Sequence, residues 1–231
     1  MSRITRKELK TDKFALEVEH TVTLFEEHRQ EIIRYGGIVA VAALLVVGYI
    51  FYSRSQHAAR ELALTHAIEV QEAPVGQSGT GGLAFPTQDA KDAEAIKVFG
   101  DIRNKYSSSP EGEIAAYYLA SIQADQGKMA EAQKSFQEVA QHAESGYASL
   151  AKIALAQILF SEGQNAQGES VLRDLMAHPT AFVSSDMATI TLAKHYIAMK
   201  NTADAKKLLE PLRGKSGVGQ VAVGLLGDMQ N

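Results

Sequence analysis

Seven histidines are the side chains best suited to metal ligation or proton transfer here: His20, His28, His57, His66, His142, His178 and His195. None falls into a tight ligand pattern with a second histidine and a carboxylate at helical spacing. Cysteine is absent, which removes disulfides, thiolate nucleophiles and Cys-ligated metals while leaving the compartment open. Gly214-Lys215-Ser216 has the ending of a phosphate-binding loop, but the position five before Gly214 is Leu209, where that loop needs glycine. The glycines between residues 73 and 88 follow no strand pattern and no Gly-Lys-Ser/Thr closes them, so they read as a flexible loop. Ser184-Ser185 has no adjacent base motif and reads as a helix cap, and the acidic residues on helical stretches read as caps and solvated faces. No catalytic residue, cofactor or metal is expected, and the chain reads as a non-enzyme.

The chemistry left is burial and binding. The chain has 231 residues, 45% hydrophobic and 22% charged, with a formal net charge of -4. Lysines and arginines are spread along it, whereas nucleic-acid binding needs a concentrated basic face, so no nucleic-acid partner is expected.

The strongest local pattern is the run YGGIVAVAALLVVGYIFYS, which carries no charge and is bracketed by Arg34 and Arg54. As a helix, residues 35–52 extend roughly 27 Å, close to the thickness of a bilayer's hydrocarbon core. Tyr35, Tyr49 and Tyr52 lie at or near its ends, where amphipathic rings favour the headgroup level, and Arg34 and Arg54 are placed to snorkel outward. A core helix in so small a domain is rarely apolar on every face. A cleaved leader fits poorly, because 34 mostly polar residues precede the run and no clear small-residue cleavage site follows. Residues 35–53 are therefore expected to be a transmembrane helix that stays in the lipid bilayer.

Residues 1–34 carry seven basic groups, Arg3, Arg6, Lys7, Lys10, Lys13, Arg29 and Arg34, against Arg54 and Arg60 between the span and Lys91. This favours a cytoplasmic N-terminus, although the immediate flanks tie, Arg29 and Arg34 against Arg54 and Arg60. Within the tail, Phe14, Val18, Thr21, Val22, Phe25 and Ile32 recur at helical spacing, which predicts an amphipathic helix, either lying at the membrane surface or docking a partner.

Beyond the span, residues 55–72 are Ala-rich with Leu62, Leu64, Ile68 and Val70 as apolar positions, which predicts a helix. From Asp89 onward a pattern returns. Ala95-Phe99-Ile102, Ala132-Phe136-Val139, Gly168-Leu172-Leu175 and Ala205-Leu209-Leu212 each set a small residue four and seven positions before large apolar ones. Leu119-Ala120, Leu155-Ala156 and Leu192-Ala193 precede the last three of them, and Gly127, Gly163 and Lys200-Asn201 fall between. Ser109-Pro110-Glu111 offers a cap, a proline at the first helical position and an acid in the first turn, and Ser185-Asp186 offers a similar start.

This pattern resembles the tetratricopeptide repeat, in which helix pairs stack into a solenoid. The resemblance implies an all-α fold of about four helix pairs over residues 54–231, behind the tail (1–34) and the span (35–53), with 73–88 as a loop. The small residues Ala120, Ala132, Ala156, Gly168, Ala193 and Ala205 would let helices approach, while Leu119, Phe136, Leu155, Leu172, Leu192 and Leu209 fill the grooves beside them. Residues on the inner face of the first helices, such as Tyr117, Gln123, Lys152, Lys194 and Tyr196, are candidates for contact with a partner. Residues 218–231 are expected to form a short terminal helix covering the last pair.

A short tail, one span and an extracytoplasmic repeat domain together resemble the YfgM-type ancillary subunit of the bacterial Sec translocon. That resemblance implies a single-pass inner-membrane protein with its C-terminal domain in the periplasm, a chaperone-like role on exported proteins, and translocon subunits and a membrane-anchored periplasmic chaperone as protein partners. The alternative is a general scaffold for envelope assembly, serving division, outer-membrane or polymer-export complexes.

Overall fold

Nothing between Arg29 and Glu72 forbids one helix: there is no proline, and the three glycines lower helix propensity without removing a backbone donor. The computed structural model, which describes residues 29–76, 82–142 and 146–229, makes this a single 44-residue helix, α1 (Arg29–Glu72). Two helices expected from composition, the span and residues 55–72, are thus one. The change at Arg54 is a change of composition and not of backbone. The tail's expected amphipathic helix lies largely in residues 1–28, outside the described residues.

The chain divides into two compact units, Met1–Ala58 and Ala59–Asn231. In the first, the apolar residues of α1 are unburied on every face, and Tyr35, Tyr49 and Tyr52 are all more than 60% exposed. Among the described residues, α1 is the one helix long and apolar enough to cross a membrane.

Among the described residues, the regular structure of the second unit is helical apart from one isolated bridge between Val75 and Phe85. It begins with the end of α1 and continues with α2 (Gln88–Lys105), α3 (Pro110–Asp125), α4 (Met129–His142), α5 (Tyr147–Ser161), α6 (Asn165–Ala177), α7 (Ser185–Ala198) and α8 (Thr202–Leu209). A 3-10 turn (Glu210–Leu212) and α9 (Gly219–Asp228) close it. The connection after α1 is more tied than its composition suggests. Gly76 donates to the Phe85 carbonyl and Phe85 to the Pro74 carbonyl, both at 3.0 Å, which fastens the two described ends of the loop to each other.

Several boundaries have a local cause. Thr87 Oγ1, Ser109 Oγ and Ser184 Oγ accept from the backbone N–H groups of Ala90, Gly112 and Met187 at 3.1–3.2 Å, and Pro110 occupies a first-turn position that needs no donor. Of the Ser184-Ser185 pair expected to cap α7, Ser184 is the cap and Ser185 the first helical residue. At the other ends, α3, α5 and α7 stop by one shared device. The N–H of Lys128, Gln164 and Asn201 reaches back five residues to the carbonyls of Gln123, Leu159 and Tyr196 at 2.8–2.9 Å. The residue before each donor takes a left-handed backbone: Gly127 at φ +74°, Gly163 at +77° and Lys200 at +59°.

Lysine gains nothing from that conformation, which crowds its Cβ against the carbonyl. Lys200→Gly is therefore expected to stabilise the domain by about 0.5–1 kcal/mol. A thermal melt that moves up by roughly 1–3 °C supports this reading, and a downward shift sinks it.

The cores follow the period. Ala95, Phe99 and Ile102 bury with Ala67 and Val70 of α1, Ala132, Phe136 and Val139 with Ala120 and Ala151, and Leu172 and Leu175 with Ala156, Leu192 and Ala205. Leu209 and Leu212 bury with Ala193, Ala222 and Leu226, so α9 covers the last pair's apolar side. Small residues set how closely helices approach. A Cβ on Gly168 would lie 2.5 Å from the Phe160 ring, so this ring fills the space a side chain would need.

Candidate functional site

The expected packing residues are mostly interior. Ala120, Ala132, Ala156, Leu172, Leu192, Ala193, Ala205 and Leu209 have no exposed surface, Phe136 is nearly as deep and Gly168 is buried, while Leu119 and Leu155 are half-buried. None of these side chains is available to a partner through its own surface except Leu119 and Leu155. Arg34 and Arg54 are exposed on α1, as are Tyr35, Tyr49 and Tyr52. A binding surface must be sought elsewhere.

Successive first helices touch, α3 against α5 and α5 against α7, and aromatic rings gather where they do. Tyr118 stacks on Phe99 at 4.8 Å, Tyr117 meets Tyr147 edge-on at 5.2 Å, and Tyr147 lies 5.6 Å from the half-exposed ring of Phe182. Tyr117 also meets Phe136 at 5.7 Å. Phe99, Tyr118, Tyr117, Tyr147 and Phe182 therefore form a row of five rings. Burial pushes the Tyr117 and Tyr118 hydroxyls above the ordinary phenol range, so both stay neutral at physiological pH.

Beside this row lies an open groove of about 370 Å³ between α3 and α5. Phe136, Ile158, Ala124, Ala154 and Met129 supply its apolar lining, and Tyr117, Ser121, Asp125, Gln157 and Ser161 its polar edge. The helical register explains the polar edge: 117, 121 and 125 fall four apart on α3, and 157 and 161 four apart on α5. The site is an open groove and not an enclosed cavity, which suits a few side chains of an extended segment better than a buried small molecule.

Other polar groups hold the stack together. Lys152 pairs with Asp174 at 2.9 Å, and the Tyr196 hydroxyl donates to Glu169 at 2.6 Å while accepting from Arg173 at 2.9 Å. Lys152 and Tyr196 thus reach α6 and are engaged within the stack, which corrects their expected place on the inner face. The Lys152 ammonium, with His178 beside it, holds the Asp174 carboxyl below its usual range. Tyr117 lines the groove and Lys194 is exposed, whereas the side-chain oxygen of Gln123 is enclosed. Among the described residues no group of three His, Asp or Glu side chains could hold a metal ion.

His195 lies flat on Phe160, with ring centroids 3.5 Å apart and planes 7° from parallel. Burial lowers its pKa, opposed by the charge of Glu169. A histidine whose folded pKa is depressed favours the unfolded chain once pH falls below the unfolded value near 6.5, so stability is expected to decline slightly between about pH 7 and pH 5.5. NMR titration of the His195 ring checks this: a midpoint above 6.5 contradicts it.

The residues that sequence reasoning missed are Tyr147 and Phe182, which stand outside the small–large period, and Asp125, which reads there as one more helix-end acid. Their signal is positional. Each adjoins the start or end of a first helix, where consecutive units meet.

The family model of the tetratricopeptide repeat-like domain matches residues 28–185, a stretch that includes α1 and the helices as far as the start of α7. No curated protein and no solved structure matches the chain. With paired helices stacked at intervals of 36–37 residues and a family match over more than half its length, the chain belongs to the tetratricopeptide repeat-like domain family.

Proposed function

We propose that this protein is a membrane-anchored interaction scaffold, with residues 35–53 spanning a bacterial inner membrane, the N-terminus cytoplasmic and the repeat domain in the periplasm. In this reading it is an ancillary, chaperone-like subunit at the Sec translocon that handles exported proteins. One observation carries the membrane part: α1 leaves a run of apolar side chains unburied on all faces, a surface of the size that calls for lipid. The excess of basic residues in the tail supports the orientation. The groove between α3 and α5, apolar within and polar at its edge, supports binding of protein segments.

A photo-reactive amino acid at the exposed Gln157, placed in the full-length protein in living cells, tests the role. Crosslinks to translocon subunits or to exported proteins in transit support it. Crosslinks confined to division or outer-membrane assembly machinery transfer the assignment to a general envelope scaffold. Orientation is tested in parallel, since the chain has no cysteine of its own. Asp89→Cys is expected to react with a membrane-impermeant maleimide once the outer membrane is opened, and Ser2→Cys only after the inner membrane is broken.

A further inference from the structure

The groove between α3 and α5 has a polarity. Ser121 donates its hydroxyl proton to the Tyr117 carbonyl at 3.1 Å, and Ser161 donates to the Ile158 carbonyl at 2.7 Å. Each hydroxyl has therefore spent its one proton on its own helix, and what it presents to the groove is lone pairs. Asp125 adds a carboxylate that is acceptor-only when ionised, and among the described residues no hydrogen bond or ion pair engages it. It stands on the last turn of α3, where the helix dipole contributes further negative potential. No lysine or arginine is among the described residues that line the groove. Tyr117 and Gln157 supply its side-chain donors. The edge is rich in acceptors and carries one unpaired negative charge, and the interior is apolar.

We infer that the groove binds an extended polypeptide segment that carries aliphatic side chains and one basic residue, the aliphatic groups over Met129, Ala124 and Ala154, with Phe136 and Ile158 packed beneath them, and the basic group on Asp125, Ser121 and Ser161. This deepens the reading of the chain as a protein-binding scaffold and rests on it. Charge complementarity selects the occupant: an arginine or lysine brings only donors, which match the acceptors on the edge, whereas an acidic segment meets Asp125 with like charge and finds few donors. The ring of Tyr117 adds a face on which a guanidinium can lie.

The test uses the full-length protein in detergent micelles and fluorescence anisotropy of three labelled nonapeptides of alternating leucine and serine. The first has arginine at its centre, the second glutamate in that place, and the third has arginine with every leucine replaced by serine. The arginine–leucine peptide is expected to bind on the order of tenfold more tightly than either of the others. Asp125→Lys, an exposed change that suits the helix C-terminus, is expected to invert the preference between arginine and glutamate. Met129→Ser is expected to weaken the arginine–leucine peptide several-fold without altering the charge preference. Equal binding of the first two peptides, a preference that survives Asp125→Lys, or absence of binding by all three overturns the inference. Crosslinking from Gln157 separates the two levels. Protein partners captured there while the peptides show no preference leave the scaffold standing without this specificity, and silence in both assays removes the two together.

Discussion

Phe136→Ala is expected to cost the repeat domain about 3–5 kcal/mol. The ring is 2% exposed and packs among Ala120, Ala132, Val139, Ala151 and Ile158, with Tyr117 against its edge. Four of the five neighbours in that set have short side chains, which cannot swing in to refill the space a benzyl group vacates. Units of a solenoid hold one another only through nearest-neighbour faces, so the damage should centre on α3–α6. Thermal unfolding of the full-length protein is expected to fall by roughly 10 °C. Hydrogen exchange is expected to quicken first in α3–α5 while α7–α9 retain more of their protection. Because Phe136 also floors the groove, Phe136→Leu, which keeps most of the volume, separates stability from binding. A loss below about 1 kcal/mol for the alanine variant would contradict the packing described.

Arg60→Ala is expected to cost about 2–3 kcal/mol, for a different reason. Arg60, on α1, pairs with Glu111 at 3.1 Å, and the Glu111 side chain keeps only 7% of its surface. Removing the cation leaves a carboxylate in a place where water cannot fully replace it. Two facts hold the loss below the value for a fully enclosed pair. Arg60 retains 24% of its side-chain surface, and Glu111 stands in the first turn of α3, where the helix N-terminus favours an acid. The companion experiment is the double variant Arg60→Met with Glu111→Leu. Apolar side chains of similar volume are expected to restore most of the stability, because neither charge then has to leave water. If the double variant were less stable than Arg60→Ala, the desolvation account of this pair would fail.

The all-helical repeat architecture is legible because close helix packing leaves a mark that needs no alignment: a small residue, then large apolar ones four and seven positions on, at 95, 132, 168 and 205. The turn residues belong to the same record, since a left-handed backbone selects glycine at 127 and 163. Lys200 breaks that rule and is found only from the backbone. The continuity of α1 is harder to see, because a run of lipid-like composition and an amphipathic run look like two elements when the helix beneath them is one. The groove is the least legible part. Its apolar floor is written in the period, but its polarity depends on where two serine hydroxyls direct their protons, and Ser121 and Ser161 in a sequence are indistinguishable from solvated helix positions. Lys152 and Tyr196 mislead for the complementary reason: their polar tips are consumed by α6, through Asp174 and Glu169, across contacts that no local spacing announces.

The three left-handed stops at 127, 163 and 200 are interchangeable joints. Excising residues 128–163 would seat Gln164 directly after Gly127, so that α3 runs into α6 through a junction of the same geometry as the one it lost. Genetic loss or duplication of a whole unit therefore changes the length of the stack without asking any helix end to find a new way to stop. A deletion of the same size begun in mid-helix has no such ready-made seam.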